Sequence, residues 1–169
     1  MDIGFLLDHT LDELPMPSQI GATRLGGIDL NRPRIREALA AVLALAVSPN
    51  GFTVTQFADK VRAMTGQTDN CYTTRHASYD LRKIRGKQLV DKPGRTRRYH
   101  VPPEAARTIA ALLTLRDHVI APLIAGVRSP RLGRKPSTWT PIDRDYETIR
   151  TDLQTLFHHI GITTRAAAA

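Results

Sequence analysis

Apolar residues recur every three to four positions along most of the chain, which predicts a mainly helical protein. The stretches with this period are 32–47, Thr53 to just before Gly66, 73–85, 104–125 and 142–160. Short segments rich in Pro, Gly, Ser, Thr and Asn separate them, as is typical of turns and linkers.

Residues that commonly begin and end helices flank the first two of these stretches. Asn31 is a favourable N-cap for the first helix, and Pro33 suits its first turn. Thr53 and Gln56 have the spacing of a capping box at the start of the second helix. Gly66 is placed to end that helix.

The third helix is amphipathic, and we expect it to begin at a cap on Thr73 or Thr74 and to stop at Gly86. Its apolar side carries Ala77, Leu81 and Ile84. Its polar side carries Arg75, Ser78, Tyr79, Arg82 and Lys83. Tyr79 fits either the margin of the core or the outward face.

Two β-prone runs follow the third helix, Leu89–Lys92 and Arg97–Val101, with a Pro-Gly turn between them. This pattern predicts a β-hairpin. Arg95 falls in the turn, and Arg97 and Arg98 come just after it.

The first 31 residues lack a sustained period and are predicted to be a poorly structured extension. Within them a short helix is expected to end at Pro15 and Pro17, and a short strand is expected from Gly27 to Leu30.

The C-terminal part of the chain is predicted to hold two further helices joined by a basic linker. Helix 104–125 is apolar on more than one face, and Pro122 is expected to kink it or to begin a new helix. Residues 126–141 read as the linker, and 142–169 as a last helix with a tail.

The positive charge is concentrated in one segment. The formal net charge is +8, and residues 75–100 hold nine Lys or Arg against two acids. Such concentration is the footprint expected of a nucleic-acid-binding surface, although a solvated basic face is the alternative.

Composition is typical of a globular protein, with 41% hydrophobic and 24% charged residues. No apolar run has the length of about 18–20 residues that spans a bilayer, and the acidic N-terminus does not resemble a signal peptide. A single cysteine excludes an intramolecular disulfide and fits a reducing cytoplasm.

The predicted order of helix, short strand, helix, helix, β-hairpin and helix resembles the bacterial winged helix-turn-helix domain of MarR-, PadR- and ArsR-like transcription factors. The resemblance covers about residues 32–125. It is carried by TVTQFADKVRAMTG (53–66), YTTRHASYDLRKIRGKQLV (72–90) and DKPGRTRRYHV (91–101). It implies an α+β fold, mainly α with a small β-hairpin wing, in which the winged helix-turn-helix core is followed by long C-terminal helices.

Ten side chains are candidates for contact with double-stranded DNA. An amphipathic helix fits the major groove, and arginine can bond bidentately to guanine there. The candidates for base edges are Thr74, Arg75, Ser78, Tyr79 and Arg82. The candidates for phosphates or a minor groove are Lys83, Lys87, Arg95, Arg97 and Arg98.

Other chemistry is weakly represented in the sequence. No P-loop, nucleophile elbow or metalloprotease motif occurs, so we expect no catalytic residues and no enzyme. No Cys/His cluster has zinc-ligand spacing, and we expect no metal or other cofactor. Cys71, just before the third helix, is either a plain exposed cysteine or a thiol of lowered pKa.

These observations favour a cytoplasmic, nucleoid-associated DNA-binding protein, most simply a transcriptional regulator. The alternatives are a non-catalytic docking module of a mobile-element or replication protein, and a winged helix that binds protein or RNA. Winged-helix regulators often pair through helices outside the DNA-binding unit, so the resemblance implies a homodimer through helices 104–125 and 142–160. The intramolecular alternative is that the last helix covers the long one.

Overall fold

The computed structural model describes residues 10–69, 71–121 and 140–159 and divides the chain into two compact units, 1–113 and 114–169. The first unit holds α1 (Thr10–Glu13), β1 (Ser18–Ile20), β2 (Thr23–Leu25), α2 (Pro33–Leu45), α3 (Val54–Thr65), α4 (Thr74–Gly86) and the start of α5 (Pro103–Leu115). The second unit holds a π-helical segment (Arg116–Ile120) and α6 (Pro141–His159). The described part of the chain is therefore mainly helical, as predicted, with one two-stranded antiparallel sheet.

The core of the first unit forms where α2, α3, α4 and α5 turn their apolar stripes inward. The fully buried side chains include Leu39, Val42, Phe57, Val61, Leu81, Ile84, Ile109 and Leu112. Burial of each such side chain contributes about 1.5–3 kcal/mol relative to exposure, which makes this core the main source of stability.

The helix signals in α3 and α4 act as predicted. Thr53 Oγ1 accepts a hydrogen bond from the Gln56 amide at 3.3 Å, and Gln56 Oε1 accepts one from the Thr53 amide at 2.9 Å. Gly66 ends α3 in the left-handed region at φ 68°. Thr73 is the N-cap of α4.

The predicted cap of α2 is wrong. The N-cap residue is Arg32, which makes no side-chain cap hydrogen bond, and the helix runs from Pro33 to Leu45. The Asn31 amide instead donates to Asp29 Oδ1 at 2.9 Å. Asp29 therefore forms a turn just before α2, and the N-cap falls at Arg32, one residue later than predicted.

The N-terminal segment is structured over residues 10–31, contrary to expectation. The predicted strand at Gly27–Leu30 is absent, and the strands are β1 and β2 instead, with Ser18 opposite Leu25. Leu14 and Ile28 join the core, and their backbones meet in a 2.7 Å hydrogen bond. The short helix does end before Pro15, as predicted.

The N-terminal hairpin, β1 and β2, packs on α4 at Gly86. Gly86 is the last residue of α4, as predicted, but it does not adopt the left-handed conformation. The positive φ, 58°, occurs two residues later at Gln88. A Cβ atom at Gly86 would lie 2.2 Å from Ser18 Oγ and 3.8 Å from Leu25 Cδ1. The glycine therefore permits close approach of the hairpin to the helix.

The predicted hairpin at 89–101, which we call the basic loop, is paired over a shorter length than expected. Asp91 pairs with His100 as an isolated antiparallel bridge. Next to it Tyr99 pairs with Phe52, the extended residue between α2 and α3, through hydrogen bonds of 2.8 and 2.9 Å. The basic loop is thus anchored to the body of the first unit.

In the second unit, the helical stretch predicted at 104–125 changes to a π-helical segment at Arg116–Ile120. Pro122 and the linker up to 139 lie outside the described residues. The last helix agrees with its predicted range, and Thr140 Oγ1 accepts a 3.2 Å hydrogen bond from the Asp143 amide in its first turn.

A buried carboxylate holds α4 against α2. Asp80 is 1% exposed. Its oxygens accept hydrogen bonds from Arg34 Nε at 2.9 Å, Arg34 Nη2 at 3.0 Å and the Tyr72 hydroxyl at 2.9 Å. Burial, followed by the Asp80 charge and hydrogen bond, raises the pKa of Tyr72 well above its ordinary value, so the hydroxyl remains a donor.

We expect Asp80→Ala to lower the free energy of unfolding by about 2 kcal/mol, because it leaves the Tyr72 hydroxyl unpaired in the core. The loss is smaller than for a fully buried pair, since the Arg34 side chain is 43% exposed and can be solvated again. Urea unfolding followed by circular dichroism measures it. Asp59→Ala is the control, an exposed acid paired with Arg62, and should cost less than about 0.5 kcal/mol. Equal effects of the two substitutions would contradict the assignment.

We expect Gly86→Ala to destabilise the protein by about 1 kcal/mol, since overpacking against Ser18 outweighs the gain in helix propensity. Adding Ser18→Gly removes the clash and should recover most of the loss in urea unfolding. Gly26→Ala is the matched control, because a Cβ atom there meets nothing within 4 Å. A Gly86→Ala variant as stable as Gly26→Ala would show that the close approach is unimportant.

Candidate nucleic-acid interface

The outward face of α4 carries most of the predicted base-contacting residues. Arg75, Tyr79 and Arg82 follow one another at spacings of four and three residues and so share one side of the helix. Arg75 is exposed, Arg82 is half-buried and Tyr79 is 47% exposed. Tyr79 therefore lies on the outward face and not in the core.

The two hydroxyl candidates lie along one edge of this stripe, because each precedes a stripe residue by one position. Thr74 is exposed in the first turn of α4, and Ser78 is half-buried one turn later. Side chains that donate and accept hydrogen bonds are thus spaced along the first two to three turns of the helix.

The start of α4 is fixed by its own capping box and by α2. The His76 amide donates to Thr73 Oγ1 at 3.3 Å, and His76 Nδ1 accepts from the Thr73 amide at 3.4 Å. The His76 carbonyl also accepts a hydrogen bond from Arg34 Nη2 at 3.3 Å. Together with the Asp80 contacts, these bonds determine which side of α4 faces outward.

The turn of the basic loop presents two uncommitted guanidinium groups. Arg95 and Arg97 are exposed, and neither forms a hydrogen bond or ion pair with another described residue. Thr96 Oγ1 donates to the Pro93 carbonyl at 2.9 Å, and this hydrogen bond stabilises the turn that carries both arginines. These two arginines are therefore available to an external anion.

Arg98 differs from its neighbours, although it is also exposed. Its Nη1 lies 3.4 Å from the Asn50 carbonyl and 3.3 Å from the Gly51 carbonyl and donates to them. Part of its hydrogen-bonding capacity is thus used within the chain, by the two residues that precede Phe52.

The two lysine candidates also have intramolecular neighbours. Lys87 Nζ donates to the Glu13 carbonyl and so ties the end of α4 to the N-terminal segment. Lys83 Nζ lies 5.9 Å from the centre of the Tyr79 ring. Burial lowers the pKa of Lys83, with nearby Arg32 and Arg34 acting in the same direction and Asp80 and Asp29 opposing them.

Three residues that position α4 were missed in the sequence, namely Arg34, Tyr72 and Asp80. One signal was available for Asp80, because it lies three residues after Ala77 and four before Ile84, on the apolar side of the helix. A carboxylate in that position needs a partner. Nothing in the sequence identifies Arg34 as that partner.

The described residues offer little for other chemistry. They contain no group of three or more His, Cys, Asp or Glu side chains arranged to hold a metal ion. Cys71 is exposed, and its Sγ accepts a 3.5 Å hydrogen bond from Thr68 Oγ1. None of the helices in these ranges is both long enough and apolar enough to cross a membrane.

Comparison of the chain with protein-family models, with curated proteins and with solved structures found no match. The candidate interface consists of the outward stripe of α4, the turn of the basic loop and the contacts that hold both in place.

Proposed function

We propose that the chain is a winged helix-turn-helix protein that binds double-stranded DNA as a transcriptional regulator. The observation that carries the proposal is the outward stripe of α4, where Arg75 and Arg82 lie on a helix locked to the core by its opposite side. A helix of about 10–12 Å diameter fits the 12 Å major groove, and such a stripe would face the bases.

The pairing of the basic loop supports the winged-helix assignment. In that fold a short strand between the first two helices pairs with the returning arm of the wing. The bridges Phe52–Tyr99 and Asp91–His100 follow this order, with Phe52 before α3 and the other three residues after α4. The basic loop then corresponds to the wing.

The groups in the two elements have different tasks in this proposal. Arg75 and Arg82 bond to guanine edges, while Thr74 and Ser78 bond to bases or adjacent phosphates. Tyr79 contributes a hydroxyl and an apolar ring face. Specificity arises from this helix.

The wing supplies affinity that does not depend on sequence. Arg95 and Arg97 neutralise phosphates or enter a minor groove, because both are exposed and uncommitted within the described chain. Arg98 and Lys87 contribute less, since each also donates to a carbonyl of another segment of the chain.

We further propose that two copies of the chain pair through α6. Ile142, Ile149 and Leu156 recur every seven residues and are 64%, 41% and 51% exposed. Half-buried Tyr146 and Leu153 alternate with them at spacings of three and four residues. This is the spacing of a two-helix seam, which a second copy of α6 would complete.

Charge reversal in the wing should weaken DNA binding in a salt-dependent way. For the double variant Arg95→Glu/Arg97→Glu, the plot of log affinity against log salt should become shallower by about 2, since each lost phosphate contact removes about 0.9. Fluorescence anisotropy with labelled duplexes measures it. Arg107→Glu, an exposed arginine on α5, is the control. An unchanged slope in the double variant would contradict the wing assignment.

Arg75→Ala should relax sequence specificity, with discrimination at one base pair falling by about 1–3 kcal/mol. The bound sequences are found by selection of genomic DNA fragments at stated salt. A regulator should enrich one short operator sequence from that pool, and the variant should lose the preference at one position within it. Equal affinity of the wild type for all fragments would contradict sequence-specific regulation and favour a docking role.

Ile149→Asp should convert a dimer to a monomer, because it places a charge in the apolar seam. Light scattering coupled to gel filtration measures the mass. Val47→Asp is the control, as Val47 is 86% exposed at the end of α2 and lies outside the seam. A wild-type protein that is monomeric at the highest soluble concentration would refute the pairing.

A further inference from the structure

Two basic side chains, Arg34 and Lys83, lie at one edge of α4, and a third, Arg32, is near enough to act on the charge of Lys83. Lys83 is one of the ten candidates for DNA contact, and the two arginines are not. Arg34 reaches this edge through its bonds to Asp80 and the His76 carbonyl. Arg32, two residues earlier, has a side chain that is 77% exposed. Lys83 is on α4 itself, one turn beyond Asp80.

The charges of these three groups act on one another. Arg32 and Arg34 both lower the pKa of Lys83, after burial as the larger cause, so the three cations are within electrostatic reach. Two carboxylates offset this positive charge only in part. Asp80 is committed to Arg34 and Tyr72, and Asp29 meets Arg32 in an exposed pair at 3.4 Å.

The edge adjoins the outward stripe of α4. Successive residues on a helix are about 100° apart, so Lys83 lies one such step from Arg82, toward the side where Arg34 and α2 pack. A helix in the major groove has a phosphate backbone on each flank, because it nearly fills the groove width. The edge that carries Lys83 and Arg32 would therefore face one of these backbones.

The backbone of Arg32 caps α2, but its side chain has no evident structural task. The Arg34 side chain anchors α4, and Arg36 donates to the Leu30 carbonyl at 2.9 Å. The Arg32 side chain makes no cap hydrogen bond and only pairs with Asp29 at the surface. The first turn of α2 itself contains no acidic residue, and the helix dipole disfavours positive charge there. A cation at such a position is better explained by binding of an external anion than by a contribution to stability.

We propose that Arg32 and Lys83 form a second phosphate-binding patch, which contacts the DNA backbone strand on the α2 side of α4. The patch reads no base, so it adds affinity to every duplex equally. This inference rests on the proposed DNA binding and adds a contact on the α2 side of α4, separate from the wing.

The test is Arg32→Ala, measured by anisotropy with duplex DNA between about 50 and 200 mM salt. The slope of log affinity against log salt should become shallower by about 0.9. Raising the salt over that range should therefore weaken binding about threefold less in the variant than in the wild type. The effect should be the same on specific and unrelated duplexes. Adding Lys83→Gln should reduce the slope further.

Arg107→Ala is a closely matched control. Arg107 forms the same kind of exposed pair, three residues from Glu104 at 3.4 Å, and its side chain is 68% exposed. Its substitution should leave the salt slope unchanged. Circular dichroism spectra and urea unfolding of both variants should match the wild type, because neither arginine is buried.

The outcomes separate the two proposals. If Arg32→Ala has the same slope as Arg107→Ala while the wing double variant loses slope, the patch is refuted and DNA binding stands. If the wild-type protein binds no duplex at about 50 mM salt, both the function and the patch are refuted. A loss confined to one DNA sequence would overturn the patch, since it would indicate base contact instead.

Discussion

The buried carboxylate of Asp80 is the contact on which the geometry of the proposed interface depends. A helix packed only by apolar side chains can rotate or slide at modest cost, whereas a carboxylate that accepts three directed hydrogen bonds allows little freedom. Its partners come from α2 and from the residue before the α4 cap. Rotation of α4 is thereby fixed relative to α2, and with it the direction in which Arg75 and Arg82 point.

Local signals in the sequence were sufficient for the helices but not for the contacts between distant segments. The capping box at Thr53 and the left-handed Gly66 were predictable because each depends on residues within one or two turns. The partner of Asp80 was not, because Arg34 lies 46 positions away. The N-terminal hairpin was missed for the same reason, since it is stabilised against α4 and its strands are only three residues long.

Composition located the basic segment, but it did not distinguish cations that are available from those that are engaged. Arg95 and Arg97 lie in an exposed turn without partners in the described chain, while Arg98 and Lys87 donate to backbone carbonyls. In the sequence, the five Lys and Arg residues of 87–98 look equivalent. Their difference arises from how the loop returns to Phe52 and from how the N-terminal segment reaches the end of α4.

The contact between Gly86 and Ser18 has a consequence for any shortened form of the protein. The helical pattern alone would suggest a shortened polypeptide that begins at α2. Such a polypeptide would lack the core residues Leu14 and Ile28, and the end of α4 would be exposed to water. Lys87 would lose its carbonyl partner as well. Expression clones and fusion partners should therefore preserve the chain from before Leu14, even where only the helical bundle is wanted.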